Sequence, residues 1–364
     1  MACPANKRVV VGLSGGVDSS VAAALLLEQG YEVIGATFYI WPRGAGGGSG
    51  GGTELPAGVR DAQAVCAKLG IPHHVIEDEE RRRQLIDYFA AEYRAGRTPN
   101  PCAVCNQTVK FAALLQTADR LGAAWVATGH YARIDRDPLG RPVLKRGLDP
   151  DRDQSYFLFT LRVPELARCL MPLGDKTKAE TRQHAQRLGL ATAAKDASME
   201  ICFAAGSHYA EFLRQNQLVR EHAGEIVDLE GRVLGQHPGI EFFTIGQRKG
   251  LRVAAGRPLY VVDLDPDTNR VIVGDASALE RDELFIQRCN WLAFDTLTGP
   301  LEVTAQIRYR HRGVEATVTP LADGWAHVKL HQPQRAITPG QACVLYQGEV
   351  VIGGGWISRT GPGQ

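Results

Sequence analysis

A turn rich in glycine and hydroxyl groups, Ser14-Gly15-Gly16-Val17-Asp18-Ser19-Ser20, follows the apolar run Val9-Val10-Val11-Gly12-Leu13 near the start of the chain. The order predicts a strand running into a tight turn and then a helix. Such a turn leaves backbone N–H groups unpaired, and the helix behind it adds a partial positive charge, so together they form a cradle for an anion. Gly15 and Gly16 let the backbone approach an oxygen-rich ligand, while Ser14, Ser19 and Ser20 add hydroxyls. Phosphate is the expected occupant. No Gly-Lys-Ser/Thr follows, so the Walker pattern is excluded.

The second chemical signal is sulfur. The chain holds 8 cysteines, Cys3, Cys66, Cys102, Cys105, Cys169, Cys202, Cys289 and Cys343. Gly96-Arg-Thr-Pro-Asn-Pro-Cys102-Ala-Val-Cys105-Asn106 places two of them in a proline-stiffened segment. That spacing suits redox chemistry, a metal, or a nucleophile with a helper. A structural zinc needs four ligands, and no second Cys-x-x-Cys or His-x-x-x-His is present. Cys202 lies between Ile201 and Phe203, where a small core residue and a reactive thiol are both possible. Lys110 and Lys195 are near enough in sequence to supply a positive charge to a thiolate.

Length and composition bound the frame around these groups. At 364 residues, 44% hydrophobic and 22% charged, the chain reads as a soluble protein of two or three domains. A net charge of +1 means that any nucleic-acid surface comes from local clustering. No apolar segment of signal-peptide form or membrane-spanning length is seen, so a cytoplasmic protein without membrane contact is expected. In a reducing compartment the cysteines are not a disulfide framework.

The elements that must position the groups read as an α/β unit first. Strands over Val9–Val11, Glu32–Tyr39, Ile71–Ile76 and Ala124–Thr128 alternate with helices over Val21–Gln29, Val59–Leu69, Arg83–Arg94 and Phe111–Leu121. This is a doubly wound parallel sheet, Rossmann-like, with its ligand at the strand C-termini, which carry Ser14, Phe38 and Gly129. Arg43 to Gly58, dense in glycine, is expected to be a mobile loop beside the nucleotide. After about Gly206 the rhythm changes to short strands and glycine turns, including 301–309, which predicts a small central domain and a C-terminal β-barrel. The expected boundaries are 1–205, 206–270 and 271–364.

The segment SGGVDSS resembles the PP-loop of ATP pyrophosphatases, enzymes that cleave ATP between the α- and β-phosphates. SGGVDSS, TPNPCAVCN, ATGHY, DQSYFL (Asp153–Leu158), SMEICF, TIGQRKG (Thr244–Gly250) and ITPGQ (ending at Gln341) also stand in the order and spacing of the tRNA-specific 2-thiouridylase family. The resemblance spans nearly the whole chain. It implies a transferase that adenylates the C2 oxygen of the wobble uridine (U34) with ATP and Mg2+, and then puts sulfur in its place. It assigns ATP to Gly12, Leu13, Ser14, Gly15, Gly16, Val17, Asp18 and Ser19, with Phe38 and Gly129, and Asp18 is a candidate helper at the metal. It makes Cys202 the persulfide carrier and Cys105 the catalytic partner whose disulfide with Cys202 completes release.

The same resemblance assigns tRNA contacts to Asn100, Pro101 and Cys102 at the target base, and to His130, Arg152, Asp153, Gln154, Arg308, Tyr309 and Gln341. Reaching C2 of an anticodon base means unstacking it while cations hold phosphates. The implied partners are wobble-uridine tRNAs for Lys, Glu and Gln, and a sulfur donor, either a cysteine desulfurase or a relay protein. Cys102 stands where some members have aspartate, which leaves an alternative open: Cys102, Cys105 and Cys202 as ligands of a [4Fe–4S] cluster with one open iron. Two rival functions use fewer of the segments, namely an amidating PP-loop synthetase of the argininosuccinate type and a nucleic-acid-binding module with a regulatory ATP site.

Overall fold

The computed structural model describes residues 6–39, 56–194, 202–204, 209–253 and 255–363. The chain separates into two compact units, one of residues 1–84, 102–203 and 349–351, the other of 85–101, 204–348 and 352–364. The first unit carries β1 (Arg8–Gly12), β2 (Glu32–Tyr39), β3 (His73–Glu77) and β4 (Trp125–Ala127), then a hairpin of β5 (Ala132–Arg136) and β6 (Pro142–Arg146), and the short β7 (Cys169–Leu170). β1 to β4 and β7 form a parallel sheet in the order β3-β2-β1-β4-β7. Val9, Val10 and Val11 of the central strand are fully buried, as an unbroken apolar run on a sheet covered on both faces requires.

The helices of this unit are α1 (Val17–Glu28), α2 (Ala57–Leu69), the start of α3 (Glu79–Arg94), α4 (Pro101–Cys105), α5 (Ala112–Arg120), α6 (Val163–Leu166) and α7 (Lys178–Arg187). α1 is apolar nearly all round because two cores claim it. Ala23 and Leu26 pack with Val9, Val33, Ala62 and Cys66, while Val17, Val21 and Ala22 pack with Tyr131, Leu173 and Ala185. The chain reverses direction in the sheet order beside β1, so the cleft at the C-terminal ends of β1 and β4 is the switch point where such sheets bind ligands. The turn after β1 starts α1, and Gly129 follows β4 after Thr128.

One expectation needs correcting. The glycine-rich stretch expected as a loop to Gly58 lies outside the described residues up to position 55, but Pro56 to Gly58 are described and open α2. Gly58 is held there by the turn after β1: a Cβ on Gly15, whose φ is +75°, would lie 2.3 Å from the Gly58 carbonyl oxygen.

In the second unit β8 (Gly224–Val227), β9 (Val233–His237), β10 (Tyr260–Asp265) and β11 (Arg270–Gly274) form a sheet ordered β10-β11-β8-β9. The next strands are β12 (Glu280–Trp291), β13 (Leu301–Gln306), β14 (Val314–Pro320), β15 (Ala326–Arg335), β16 (Ala342–Gln347) and β17 (Val350–Ser358). Ordered β12-β15-β14-β13-β16-β17, they close into a six-stranded antiparallel barrel because β12 also pairs with β17, which leaves no open edge. β13 ends at Gln306, so Arg308 and Tyr309 fall in the turn beyond it rather than in the strand expected over 301–309. α8 (Tyr209–Gln215) packs on α3 through rings, with Tyr93 and Tyr209 stacked at 4.5 Å. Among the described residues no helix is long and apolar enough to cross a membrane.

A further close approach in the first unit is backbone on backbone, between the turn after β4 and α1. A Cβ at Gly129 would sit 2.6 Å from the Ser19 nitrogen and 2.7 Å from the Asp18 carbonyl carbon. Gly129→Ala is therefore expected to cost about 2 kcal/mol of stability by overpacking. Urea denaturation checks this, with an unchanged midpoint as the contrary result.

Candidate active site

The first turn of α1 is open to an anion. Its N-cap is Gly16, and no side chain caps it, so the leading amides of the helix keep their donors. The serines of the turn shape it instead. Ser19 Oγ accepts from the Ser14 N–H at 3.1 Å and donates to the Gly16 carbonyl at 3.2 Å, while Ser14 Oγ accepts from the Gly16 N–H at 3.3 Å. Leu13 and Val17 turn their side chains into the core, so only their backbone is available to a nucleotide. Gly12 ends β1, and Phe38 lies near the C-terminal end of the neighbouring β2.

Asp18, in that same first turn, is bracketed by groups that sequence reasoning did not find. The Lys178 ammonium donates to Asp18 Oδ1 at 2.6 Å, and the Tyr131 hydroxyl lies 2.8 Å from the same oxygen and 3.1 Å from Thr181 Oγ1. Burial, with the Asp18 carboxylate adding to it, holds the Tyr131 phenol well above its usual range, so it stays a donor. Lys178 reaches this place because it opens α7 behind a capping box made by Thr177 and Glu180, and its own N–H donates to Asp149 at 3.0 Å. The Thr-Lys-Ala-Glu sequence signals the helix start. It does not signal that its lysine is buried.

The sulfur centre sits in the same unit. α4 runs into a π-helical turn, Asn106–Phe111, before α5 continues. Widened turns of this kind occur frequently at functional sites, since they reset which residues share a face. Asn106 anchors the turn by donating to the Phe157 carbonyl at 3.1 Å, and Thr160 Oγ1 donates to the Ala103 carbonyl at 3.1 Å. Cys105 is half-buried, whereas Cys102 and Cys202 reach the surface, Cys202 in the short helical turn Cys202–Ala204. Lys195, the other cation proposed for these thiols, and Ser198 lie outside the described residues.

The Lys110 charge links the group. Burial pushes the Cys105 thiol up to about 12, and Lys110 opposes that through its ammonium and a backbone N–H. Packing around the sulfurs also raises Cys102 and Cys202, with Lys110 again lowering both. His130 is buried, stacks on Phe111 at 5.9 Å and lies 2.7 Å from Thr128 Oγ1. Burial first, and then Lys110, drive its pKa well below the usual value, so the ring is neutral. The cradle and the sulfur centre thus meet at consecutive residues: Gly129 packs on α1, and His130 shares the Lys110 field with the cysteines.

The residues expected to touch tRNA fall into different surroundings. Asp153 accepts from Arg146, the Gly147 and Ser155 amides and the Ser155 hydroxyl, and Gln154 Oε1 accepts from the Tyr131 N–H at 3.0 Å. Both therefore brace the chain around Tyr131, and Arg152 of the same trio carries no such bond from its side chain among the described residues. Asn100 and Pro101 are buried. In the second unit, Gln341 donates its amide to the Thr98 and Pro99 carbonyls at 3.1 and 3.0 Å, which ties the Pro339-Gly340 turn to the segment before Asn100. Arg308 is exposed, and Tyr309 is held through its carbonyl by Gln306 at 2.7 Å.

Comparison with known proteins gives a consistent picture. Three family models match in sequence: a tRNA methyl transferase HUP domain over residues 7–206, a tRNA methyl transferase PRC-barrel domain over 210–275, and an aminomethyltransferase beta-barrel domain over 281–357. A relative from Heliobacterium modesticaldum named tRNA-specific 2-thiouridylase MnmA is 50% identical over 359 residues, covering 98% of this chain and 93% of its own. Proteins of the same name from Moorella thermoacetica and Magnetococcus marinus are 50% and 49% identical, each covering 96% of this chain and 99% of their own.

Two outcomes follow from the geometry. Lys178→Met should destabilise the protein by about 1 to 2 kcal/mol, less than a fully buried pair because Asp18 is partly exposed, and Asp18→Asn in the same chain should restore most of it; thermal melts of the single and double variants check this. Lys110→Met should move the pH midpoint for iodoacetamide labelling of Cys202 upward, since the lost cation no longer favours the thiolate. An unmoved midpoint would show that Lys110 does not act on the thiol.

Proposed function

The chain belongs to the tRNA-specific 2-thiouridylase family, and from that premise we propose how its own residues divide the work of an ATP-dependent sulfurtransferase that converts the wobble uridine of tRNA to 2-thiouridine. One observation carries the assignment: a single unit holds both an uncapped phosphate cradle and the cysteines Cys105 and Cys202, and His130, beside the Gly129 that packs on the cradle, stacks on Phe111 of the turn that follows Cys105. The sulfur chemistry belongs to 1–205, while 206–270 and 271–364 serve the tRNA.

The amides of Gly15 to Ser19 receive the triphosphate, and the uridine C2 oxygen attacks the α-phosphorus with pyrophosphate as leaving group. Magnesium carried by the nucleotide would be held by Asp18, whose Oδ2 is taken by neither Lys178 nor Tyr131, and would offset phosphate charge. The terminal sulfur of a Cys202 persulfide attacks C2, and AMP departs with the former C2 oxygen. The Cys105 thiol then attacks Cys202 Sγ, its proton passing to the departing 2-thiouridine anion. Its electron pair forms the Cys105–Cys202 disulfide, and the sulfur–sulfur bond to the nucleoside breaks to release 2-thiouridine. A donor protein, a cysteine desulfurase or a relay, reloads Cys202 once an external thiol has reduced the disulfide. The tRNAs served are those for Lys, Glu and Gln, and the site of action is the cytoplasm.

The persulfide route is preferred here to a [4Fe–4S] cluster on Cys102, Cys105 and Cys202. The sulfurs feel one another's charge, yet among the described residues no three His, Cys, Asp or Glu side chains are grouped so as to hold a metal ion. Methyl transfer, which the description of the family model names, would use neither the phosphate cradle nor a pair of thiols. Rival PP-loop syntheses leave Cys105 and Cys202 idle.

The test is mass spectrometry of nucleosides from a wobble-uridine tRNA incubated with enzyme, ATP, magnesium and a persulfide source. The intact enzyme should form 2-thiouridine, and Cys202→Ala should form none while binding tRNA as tightly as before. Thiolation retained by Cys202→Ala would overturn the assignment of the sulfur carrier.

A further inference from the structure

Thr244 to Gly250 is a sequence motif that neither the cradle nor the sulfur centre uses. It forms a loop ahead of β10 that its own side chain builds. Gln247 accepts the Thr244 N–H on Oε1 at 3.1 Å and donates from Nε2 to the Lys249 carbonyl at 3.0 Å. The backbone is sewn to β10 on both sides, with Gly246 donating to Val261 at 2.8 Å and Val261 donating to Gln247 at 2.9 Å. Gly246 and Gly250 take φ of +87° and +84°, and Leu251 is buried beneath the loop. Arg252 follows at φ +55°, a conformation that an arginine adopts only where its surroundings impose it.

This rigid frame presents charge without neutralising it. Arg248, Lys249 and Arg252 are exposed, and among the described residues none of their side chains forms an ion pair or hydrogen bond. No acid occurs between Glu241 and Asp263, a stretch that also contains Arg257. Four other arginines of the same unit do have acidic partners: Arg214 with Glu221, Arg232 with Asp228, Arg270 with Glu225 and Arg359 with Asp263. On a preorganised loop three unpaired cations meet a polyanion with only their own side chains left to order, and Arg and Lys contacts to phosphate position a nucleic acid without reading its bases.

We propose that Arg248, Lys249 and Arg252 grip the sugar–phosphate backbone of the tRNA, as an element that supplies affinity but no sequence preference. The inference rests on the tRNA thiolase reading above. Gln247 is its positioning residue, setting the loop without touching the RNA.

The test measures binding of an unmodified tRNA transcript at a series of salt concentrations by the intact enzyme and by a variant carrying Arg248→Gln, Lys249→Gln and Arg252→Asn, the last chosen because asparagine tolerates positive φ. The variant should bind at least about tenfold more weakly near 0.1 M salt, and its log–log salt slope should be shallower by about 2 units, as expected when three phosphate contacts are lost. The charge-preserving Arg248→Lys with Lys249→Arg should keep the wild-type slope, and thermal melts establish that both variants are folded. A folded triple variant with an unchanged slope overturns the proposal and leaves the thiolase reading intact, including the case where only docking of a protein partner is lost. An intact enzyme with no affinity for tRNA would overturn both.

Discussion

Everything in the catalytic unit depends on how closely the turn after β4 can approach the first turn of α1. Gly129 has no Cβ, and one placed there would be driven into the Asp18 and Ser19 backbone. That contact fixes the open helix N-terminus relative to His130, the next residue in the chain. That contact, with the stacking of His130 on Phe111, relates the phosphate cradle to the helical segment that follows Cys105. Gly15 repeats the device against Gly58, where α2 begins.

A second bracket keeps the cradle in shape. Gln154 holds the Tyr131 amide, Tyr131 and Lys178 hold Asp18, and Asp153 ties the preceding turn to Arg146 and Ser155. A buried lysine on a half-exposed carboxylate is weak support for stability by itself. Its value here is electrostatic, because an uncompensated Asp18 would repel the polyphosphate that the helix N-terminus is arranged to receive. Asp153 and Gln154, which family resemblance connects with tRNA, thus have structural duties on the nucleotide side as well.

Much of this was legible in the sequence. The apolar strand before SGGVDSS, the strand–helix alternation and the later shift to short strands specify the parallel sheet and the barrel, because periodicity and glycine turns are local signals. β12 was not, and its opening Glu280-Arg-Asp-Glu283 shows why: it carries no apolar alternation and is a strand because β15 pairs with it. The π-helical turn that carries Lys110 was equally hidden, for Asn106-Gln-Thr-Val-Lys-Phe111 reads as ordinary helix. Lys178 and Tyr131 are 160 and 113 residues from Asp18, and nothing local to any of them states that they meet. The cysteines could be found by spacing and family pattern, and the sequence offered Lys110 beside Lys195 as their cation; the fold adds that Lys110 acts on Cys102, Cys105 and Cys202 alike.

The central claim is that sulfur passes from Cys202 to the tRNA and that Cys105 completes its release. The most direct measurement is peptide mass spectrometry of persulfide-loaded enzyme quenched after a single turnover with ATP and tRNA, before any reductant is added. The account predicts a Cys105–Cys202 disulfide formed in step with 2-thiouridine, one for one. Thiolated tRNA beside an enzyme whose Cys105 and Cys202 both remain free thiols would contradict it.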